Sequence, residues 1–93
     1  MGVQLDFEWD EAKRDANLAK HGIDFRDAVD LFDGRPIYTF PSRREAEDRY
    51  VSVGLVGDQF IAAVWIPRND IVRIISMRRA RDGEKRAHRA LFG

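Results

Sequence analysis

The sequence has 93 residues, of which 44% are hydrophobic and 34% are charged, so we expect a single globular domain over residues 1–93. It contains no cysteine, which excludes disulfides, thiolate metal sites and a cysteine nucleophile. No apolar run approaches the length of a membrane span, and the N-terminus lacks the layout of a signal peptide. We therefore expect a cytoplasmic protein that binds no membrane.

The formal net charge is zero, but the charged side chains are unevenly distributed along the chain. Residues 1–67 carry 8 basic and 13 acidic side chains, whereas residues 68–93 carry 8 basic and 3 acidic ones. This asymmetry indicates that the C-terminal end meets a polyanion such as a nucleic acid. The alternative is that the two halves neutralise each other across the fold.

The N-terminal third predicts one short strand and two helices. Residues 5–9 alternate apolar and acidic side chains, which is typical of a half-buried strand. A helix over residues 11–21 follows, with Asp10 as its N-cap and Gly22 as its left-handed C-terminal residue. Asp24 then caps a second helix. The predicted buried face of that second helix consists of Phe25, Ala28, Val29 and Phe32.

The remaining residues predict strands joined by tight turns, then a last helix. The predicted segments are a short strand at 36–40, a charged loop at 42–48, strands at 49–56, 59–66 and 71–79, and a helix at 82–92. Gly57 and Asp58 read as a hairpin turn, Pro67 leads another turn, and Asp82 caps the last helix, whose thin apolar stripe is Ala87, Ala90 and Leu91. The predicted fold class is α+β: an antiparallel meander with the two N-terminal helices on one face and a short C-terminal helix.

The last strand carries arginines amid β-branched residues. A period of two places Arg73 and Arg79 on one face, roughly 20 Å apart by strand rise, and Arg78 on the other. The planar fork of arginine suits phosphate, so this pair is expected to hold neighbouring phosphates of one nucleic-acid strand. The alternative is that Arg73 pairs with an acid such as Glu47 or Asp48.

RNA cleavage by attack of the 2′-hydroxyl on the adjacent phosphate needs a base, an acid and cations, but no metal. The candidate proton-transfer groups are Lys20, His21, Glu47 and His88. The two histidines lie far apart and form no metal-ligand spacing, so we expect no metal and no other cofactor. Alternatively, His21 satisfies the last carbonyls of its helix, and His88 is an exposed residue on a polar helix.

Two blocks of the chain, residues 7–32 and 73–88, resemble the BrnT family of toxins. The family pattern is matched in the first block at Phe7, Glu8, Trp9, Asp10, Lys13, Asn17, Lys20, His21, Gly22, Phe25, Asp27 and Ala28. It is matched in the second block at Arg73, Ile74, Ile75, Ser76, Arg78 and Ala80. The family's last helix usually reads E-x-x-x-Y, and here Glu84 is followed at that spacing by His88.

The resemblance implies a RelE-like fold and a ribonuclease toxin of a type II toxin–antitoxin pair. It implies metal-independent endonucleolytic cleavage of RNA that inhibits translation, neutralisation by a cognate antitoxin, and operator DNA bound only through the antitoxin complex. The predicted catalytic residues are Lys20, His21, Arg73, Arg79 and His88, and the predicted RNA-binding residues are Arg78, Arg81 and Lys85. The rival hypothesis is a non-catalytic module that binds RNA or a partner through the basic C-terminal end and is indifferent to both histidines. A metal-dependent nuclease is less well supported, because the acidic residues are scattered.

Overall fold

A computed structural model describes residues 5–42 and 48–93 of the chain. In chain order, the elements of this part are β1 (Asp6–Glu8), α1 (Glu11–His21), a 3-10 turn (Phe25–Asp27), α2 (Ala28–Leu31), β2 (Tyr38–Ser42), β3 (Arg49–Val56), β4 (Gln59–Arg68), β5 (Ile71–Arg79) and α3 (Asp82–Phe92). The α+β class is confirmed. Most of the predicted charged loop, including Glu47, lies outside the described residues.

The described strands form one five-stranded sheet in the order β1-β5-β4-β3-β2. Strands β2 to β5 are the predicted antiparallel meander, and β4 is the central strand, as its apolar sequence indicated. No partner for β1 was predicted from the sequence, and in the structure β1 pairs with β5 in parallel, which makes the sheet mixed. Strand β1, which precedes the helices in the chain, therefore covers the edge of β5 that does not pair with β4.

The turn between β4 and β5 differs from the one predicted. Pro67 and Arg68 are the last residues of β4, and the turn itself is Asn69–Asp70, where both residues have positive φ (50° and 67°). Asparagine and aspartate tolerate this left-handed conformation better than most residues, and a two-residue hairpin of this kind matches the twist of the sheet.

Helix α1 has the bounds that the sequence predicted. The Asp10 carboxylate accepts hydrogen bonds from the backbone N–H groups of Ala12 and Lys13, and Gly22 ends the helix at φ 69°. Inside the helix, the buried Asn17 side chain donates to the carbonyls of Ile23 (3.0 Å) and Met77 (2.9 Å) and accepts from Met77 N (3.2 Å). Asn17 therefore fixes the end of α1 to strand β5, where a charged segment begins.

The second predicted helix forms, but its buried face includes Leu31 in place of Val29. It begins with the 3-10 turn, whose N-cap is Asp24. A 3-10 turn has three residues per turn, so Phe25, Ala28 and Leu31 lie on one side. These residues are buried, whereas Val29 is 56% exposed. The prediction from a period of 3.6 residues was wrong at Val29 for this reason.

A β-bulge in β5 changes which of its arginines lie on the same face of the sheet. Val64 pairs with Ser76 and Trp65 pairs with Ile74, so Ile75 has no partner in β4. Ile74 and Met77, three residues apart, consequently both face the helical core. The prediction that Arg73 and Arg79 share a face is wrong.

The register shows which arginines share each face of the sheet. Arg79 pairs with Ile61 of the core under α1, while Arg78 pairs with Ala62 of a smaller apolar cluster on the opposite face. Arg73 shares that opposite face with Arg78, because the bulge lies between them. Arg78, rather than Arg79, is therefore the arginine that lies on the face away from α1.

Helix α3 lies on the face of the sheet that α1 and α2 leave uncovered. Its N-cap is Arg81 rather than the predicted Asp82, and the Glu84 carboxylate accepts from the Arg81 backbone N–H (2.8 Å). The predicted stripe is wrong, because Leu91 is 62% exposed and the helix buries His88 instead. Since α3 covers only one end of this face, the described residues leave the rest of it as a cleft.

Candidate active site

The cleft lies on the second face of the sheet, between the end of α1 and the start of α3, and has a volume of about 490 Å³. Strands β2 to β5 form its floor, and basic side chains from four elements surround it. Those basic residues are Lys20, His21, Arg49, Arg78 and Arg81. Positive groups that lie far apart in sequence therefore meet around one concave surface.

The floor of the cleft is apolar and carries two hydroxyl groups. Its apolar residues are Phe40, Val51, Val64 and Ile75, and its hydroxyl groups belong to Ser42 and Ser76. Ser76 reaches this surface because of the bulge at Ile75, which brings Ser76 opposite Val64. An apolar floor below basic walls suits a ligand that combines charged phosphates with flat bases.

Lys20 and His21 occupy the last turn of α1, at one wall of the cleft. The left-handed Gly22 stops the helix after them, and its N–H donates to Leu18 O at 2.8 Å. The Asn17 hydrogen bonds hold this turn beside β5. The sequence alone left His21 as either a capping cation or a proton-transfer group, and the structure places this residue at the cleft wall.

Arg78 and Glu84 form a bidentate ion pair in the cleft. Arg78 Nη1 donates to Glu84 Oε1 (2.7 Å) and Arg78 Nη2 donates to Glu84 Oε2 (2.9 Å). Their side chains are only 20% and 11% exposed, respectively. The hydrogen bonds from Arg78 hold the pKa of Glu84 below its usual value despite partial burial, and the same bonds raise the pKa of Arg78. Both groups therefore stay charged at neutral pH.

Arg49 and Glu84 are two cleft residues that the sequence analysis did not identify as site residues. Arg49 is the first residue of β3 and pairs with Ser42. It lies two residues before the buried Val51, so both residues are on the cleft face of the strand. The strand period predicts this once the face of Val51 is known. Glu84 carried a signal in the E-x-x-x-Y spacing, but its ion pair with Arg78 depends on how α3 packs.

Four of the predicted site residues lie away from the cleft lining: Arg73, Arg79, Lys85 and His88. Arg73 forms an ion pair with Glu8 on the adjacent strand β1 (3.3 Å), so it pairs with an acid, as the alternative held, while Glu47 lies outside the described residues. Arg79 and Lys85 line a second groove of about 350 Å³, with Phe60 and Arg89. Arg79 Nη1 also makes a long hydrogen bond to the backbone carbonyl of His21 (3.5 Å).

His88, the candidate acid on α3, is buried rather than exposed, with 8% of its surface accessible. Its ring contacts Phe60 and Phe92 edge-on, with centroids 5.3 and 4.9 Å away, and its Nε2 lies 3.1 Å from the Pro36 carbonyl oxygen. It does not line the cleft. These contacts pack His88 between Phe60 of β4 and Phe92 of α3.

No group of three His, Asp or Glu side chains within residues 5–42 and 48–93 is placed to bind a metal ion. Among the helices of the same residues, none is long and apolar enough to cross a membrane. From the described residues, the cleft offers cations, hydroxyls, an imidazole and a carboxylate.

A model of the family described as "Ribonuclease toxin, BrnT, of type II toxin-antitoxin system" matches residues 9–84. No curated protein matches the chain. The matched segment includes α1 with Lys20 and His21, the whole sheet from β2 to β5, and the start of α3 with Glu84. Every residue that we find around the cleft thus falls inside the match. This chain belongs to the BrnT family of ribonuclease toxins of type II toxin–antitoxin systems.

Proposed function

We propose that the cleft cleaves RNA endonucleolytically and without a metal ion. The observation that carries this proposal is the convergence of an imidazole and an ammonium group from α1 with three guanidinium groups around one apolar floor. A 2′-hydroxyl attack needs a proton acceptor, a proton donor and cations for the charge that develops on the phosphate. The basic wall supplies each of these.

In the proposed reaction, the 2′-oxygen attacks the adjacent phosphorus while the bond from phosphorus to the 5′-oxygen breaks. His21 takes the proton from the 2′-hydroxyl, because imidazole is the side chain that exchanges protons most readily near neutral pH. Lys20 donates a proton to the departing 5′-oxygen. The products are a 2′,3′-cyclic phosphate end and a 5′-hydroxyl end.

We assign Arg78 to the scissile phosphate and Arg81 and Arg49 to the flanking RNA. Arg78 takes the role that the sequence analysis gave to Arg73 and Arg79, because it is the arginine of β5 that lines the cleft. A guanidinium aimed at the developing charge in a partly dry site is worth several kcal/mol. Arg73 and Arg79 then support the strand edge and the end of α1 through Glu8 and the His21 carbonyl.

The toxin's biological effect follows from this chemistry. We propose that cleavage of messenger RNA in the cytoplasm inhibits translation, and that the cognate antitoxin neutralises the toxin by covering the basic cleft with an acidic segment. Operator DNA is bound only by the toxin–antitoxin complex, through the antitoxin. Neutralisation and operator binding concern the antitoxin and are tested with the purified pair.

The decisive experiment incubates purified toxin with naked RNA in EDTA and identifies the product ends. We expect cleavage that leaves 2′,3′-cyclic phosphates and falls by about 100-fold or more in His21→Ala, because proton transfer contributes that much. Lys13→Ala, which removes an exposed charge from the same helix outside the cleft, is the matched control. Cleavage abolished by EDTA would indicate a metal-dependent nuclease, and RNA binding without cleavage would support the non-catalytic module.

A further inference from the structure

Glu84 is a carboxylate inside a cleft that is otherwise built for a polyanion. It lines the cleft beside Lys20, His21, Arg78 and Arg81. A negative charge there repels RNA and reduces the electrostatic attraction that drives nucleic-acid binding. Affinity for RNA therefore does not explain an acid at this position. The hydrogen bonds that Glu84 makes do explain it.

The hydrogen bonds of Glu84 use one defined edge of the Arg78 guanidinium. Arginine has five N–H donors in a rigid plane, which form an end edge (Nη1 and Nη2) and a side edge (Nε and Nη2). Glu84 occupies the end edge at 2.7 and 2.9 Å, and Nη1 also reaches the Arg79 carbonyl at 3.3 Å. Within residues 5–42 and 48–93, the guanidinium makes no further hydrogen bond, so the side edge remains available for phosphate.

The same carboxylate also fixes where α3 begins. Glu84 Oε1 accepts from Arg78 Nη1 and from the backbone N–H of Arg81, at 2.7 and 2.8 Å. The side chain is 11% exposed, and each of its oxygens has a charged partner. Glu84 thus joins the end of β5 to the start of α3 at a fixed distance, which sets the spacing of Arg78 and Arg81.

We propose that Glu84 is a positioning residue for RNA cleavage: it holds the Arg78 guanidinium with its side edge toward the scissile phosphate. This inference rests on the proposed function, because it assigns Arg78 to that phosphate. A flexible arginine loses rotamer entropy each time it binds, and a guanidinium already held by a buried carboxylate avoids that loss. The repulsion between Glu84 and RNA is the cost of this preorganisation.

The test is a double-mutant cycle of Glu84→Gln and Arg78→Lys, with two readouts. The first is the single-turnover cleavage rate at saturating toxin in EDTA, and the second is the Kd for an RNA made uncleavable by 2′-O-methyl groups. We expect Glu84→Gln to lower the rate by about 10-fold or more while Kd stays equal or tightens up to about 3-fold. In the Arg78→Lys background, we expect Glu84→Gln to change the rate by less than about 2-fold, because its effect acts through Arg78.

A control variant tests the loss of a first-turn acid that pairs with an arginine outside the cleft. Glu11→Gln also removes an acid that begins a helix and binds an arginine, Arg14 at 2.9 Å, but it lies outside the cleft. We expect Glu11→Gln to leave the cleavage rate unchanged. Circular dichroism at the assay temperature establishes that each variant is folded.

The outcomes distinguish the inference from the proposed function. Folded Glu84→Gln with a wild-type rate, or rate losses that multiply in the double variant, would overturn the positioning role alone. A wild-type toxin that cleaves RNA only with added metal would overturn the proposed function, and the Glu84 inference with it. A rate loss confined to the wild-type background supports both.

Discussion

Two basic grooves of this toxin differ in their chemical groups more than in their charge. The cleft contains Arg78 and Glu84 held together, two hydroxyls, and Lys20 and His21 on one wall. The second groove contains Arg79, Lys85 and Arg89, and Arg89 lies over the Phe60 ring at 5.3 Å. Both attract anions, but the cleft also holds a cation in fixed orientation beside an imidazole. Positive charge alone therefore does not distinguish the candidate active site from the second groove.

The neighbouring arginines of β5 provide the strongest test of this difference. We expect Arg78→Ala to lower cleavage by about 100- to 1,000-fold, because it removes a preorganised cation at the phosphate. Arg79→Ala, one residue away in the other groove, is expected to lower it by less than about 10-fold. Single-turnover rates of the two variants, with circular dichroism for folding, make the comparison. A loss of cleavage in Arg79→Ala that equals or exceeds the loss in Arg78→Ala would make Arg79 the catalytic arginine. The second groove would then be the candidate active site.

Asn17 is expected to matter for the cleft wall through stability. Asn17→Ala leaves the buried backbone groups of Met77 and Ile23 without partners, so we expect it to lower the free energy of unfolding by about 2–4 kcal/mol. Urea denaturation measures this loss. Leu18→Ala, at an exposed position on the same helix, is the control and is expected to change it by less than about 1 kcal/mol. Similar losses in both variants would show that the Asn17 hydrogen bonds are not a special attachment of α1.

The two histidines should separate stability from chemistry. His88→Ala removes a buried ring between Phe60 and Phe92, and we expect it to cost about 1–3 kcal/mol of stability while cleavage stays near wild type under folding conditions. His21→Ala is expected to lower cleavage while the stability stays near wild type. Thermal denaturation and cleavage rates of both variants measure the two effects. Loss of cleavage in a fully folded His88→Ala toxin would return His88 to the predicted catalytic set.

The smallest expected effect is the pH dependence of the Arg78–Glu84 pair. Because the folded state holds the pKa of Glu84 below the 4.5 of an unperturbed glutamate, its stabilisation is complete above that pH and is lost as pH falls through the folded pKa. The stability difference between wild type and Glu84→Gln should therefore be constant near neutral pH and shrink below about pH 4.5. Urea denaturation of both proteins across this range measures the difference. A difference that does not vary with pH would show that the charge of Glu84 contributes nothing.

The sequence predicted the elements better than it predicted their faces. Helix α1, strand β5 and helix α3 have the expected bounds, because caps, glycine and alternation are local signals. The faces depend on irregularities with no clear local signal. The bulge at Ile75 moved Arg73 away from Arg79, and the 3-10 turn before α2 buried Leu31 in place of Val29.

The sequence by itself determined the α+β class, the family, and the presence of Lys20, His21 and Arg78 as site candidates. Only the tertiary structure decided which cations meet, since Arg49, Arg78 and Arg81 come from different elements and converge through the register of the sheet and the packing of α3. It also placed His88 in the interior and Glu84 in the cleft. The physical reason is that composition and spacing fix what a segment becomes, whereas the direction of a side chain depends on pairing partners many residues away.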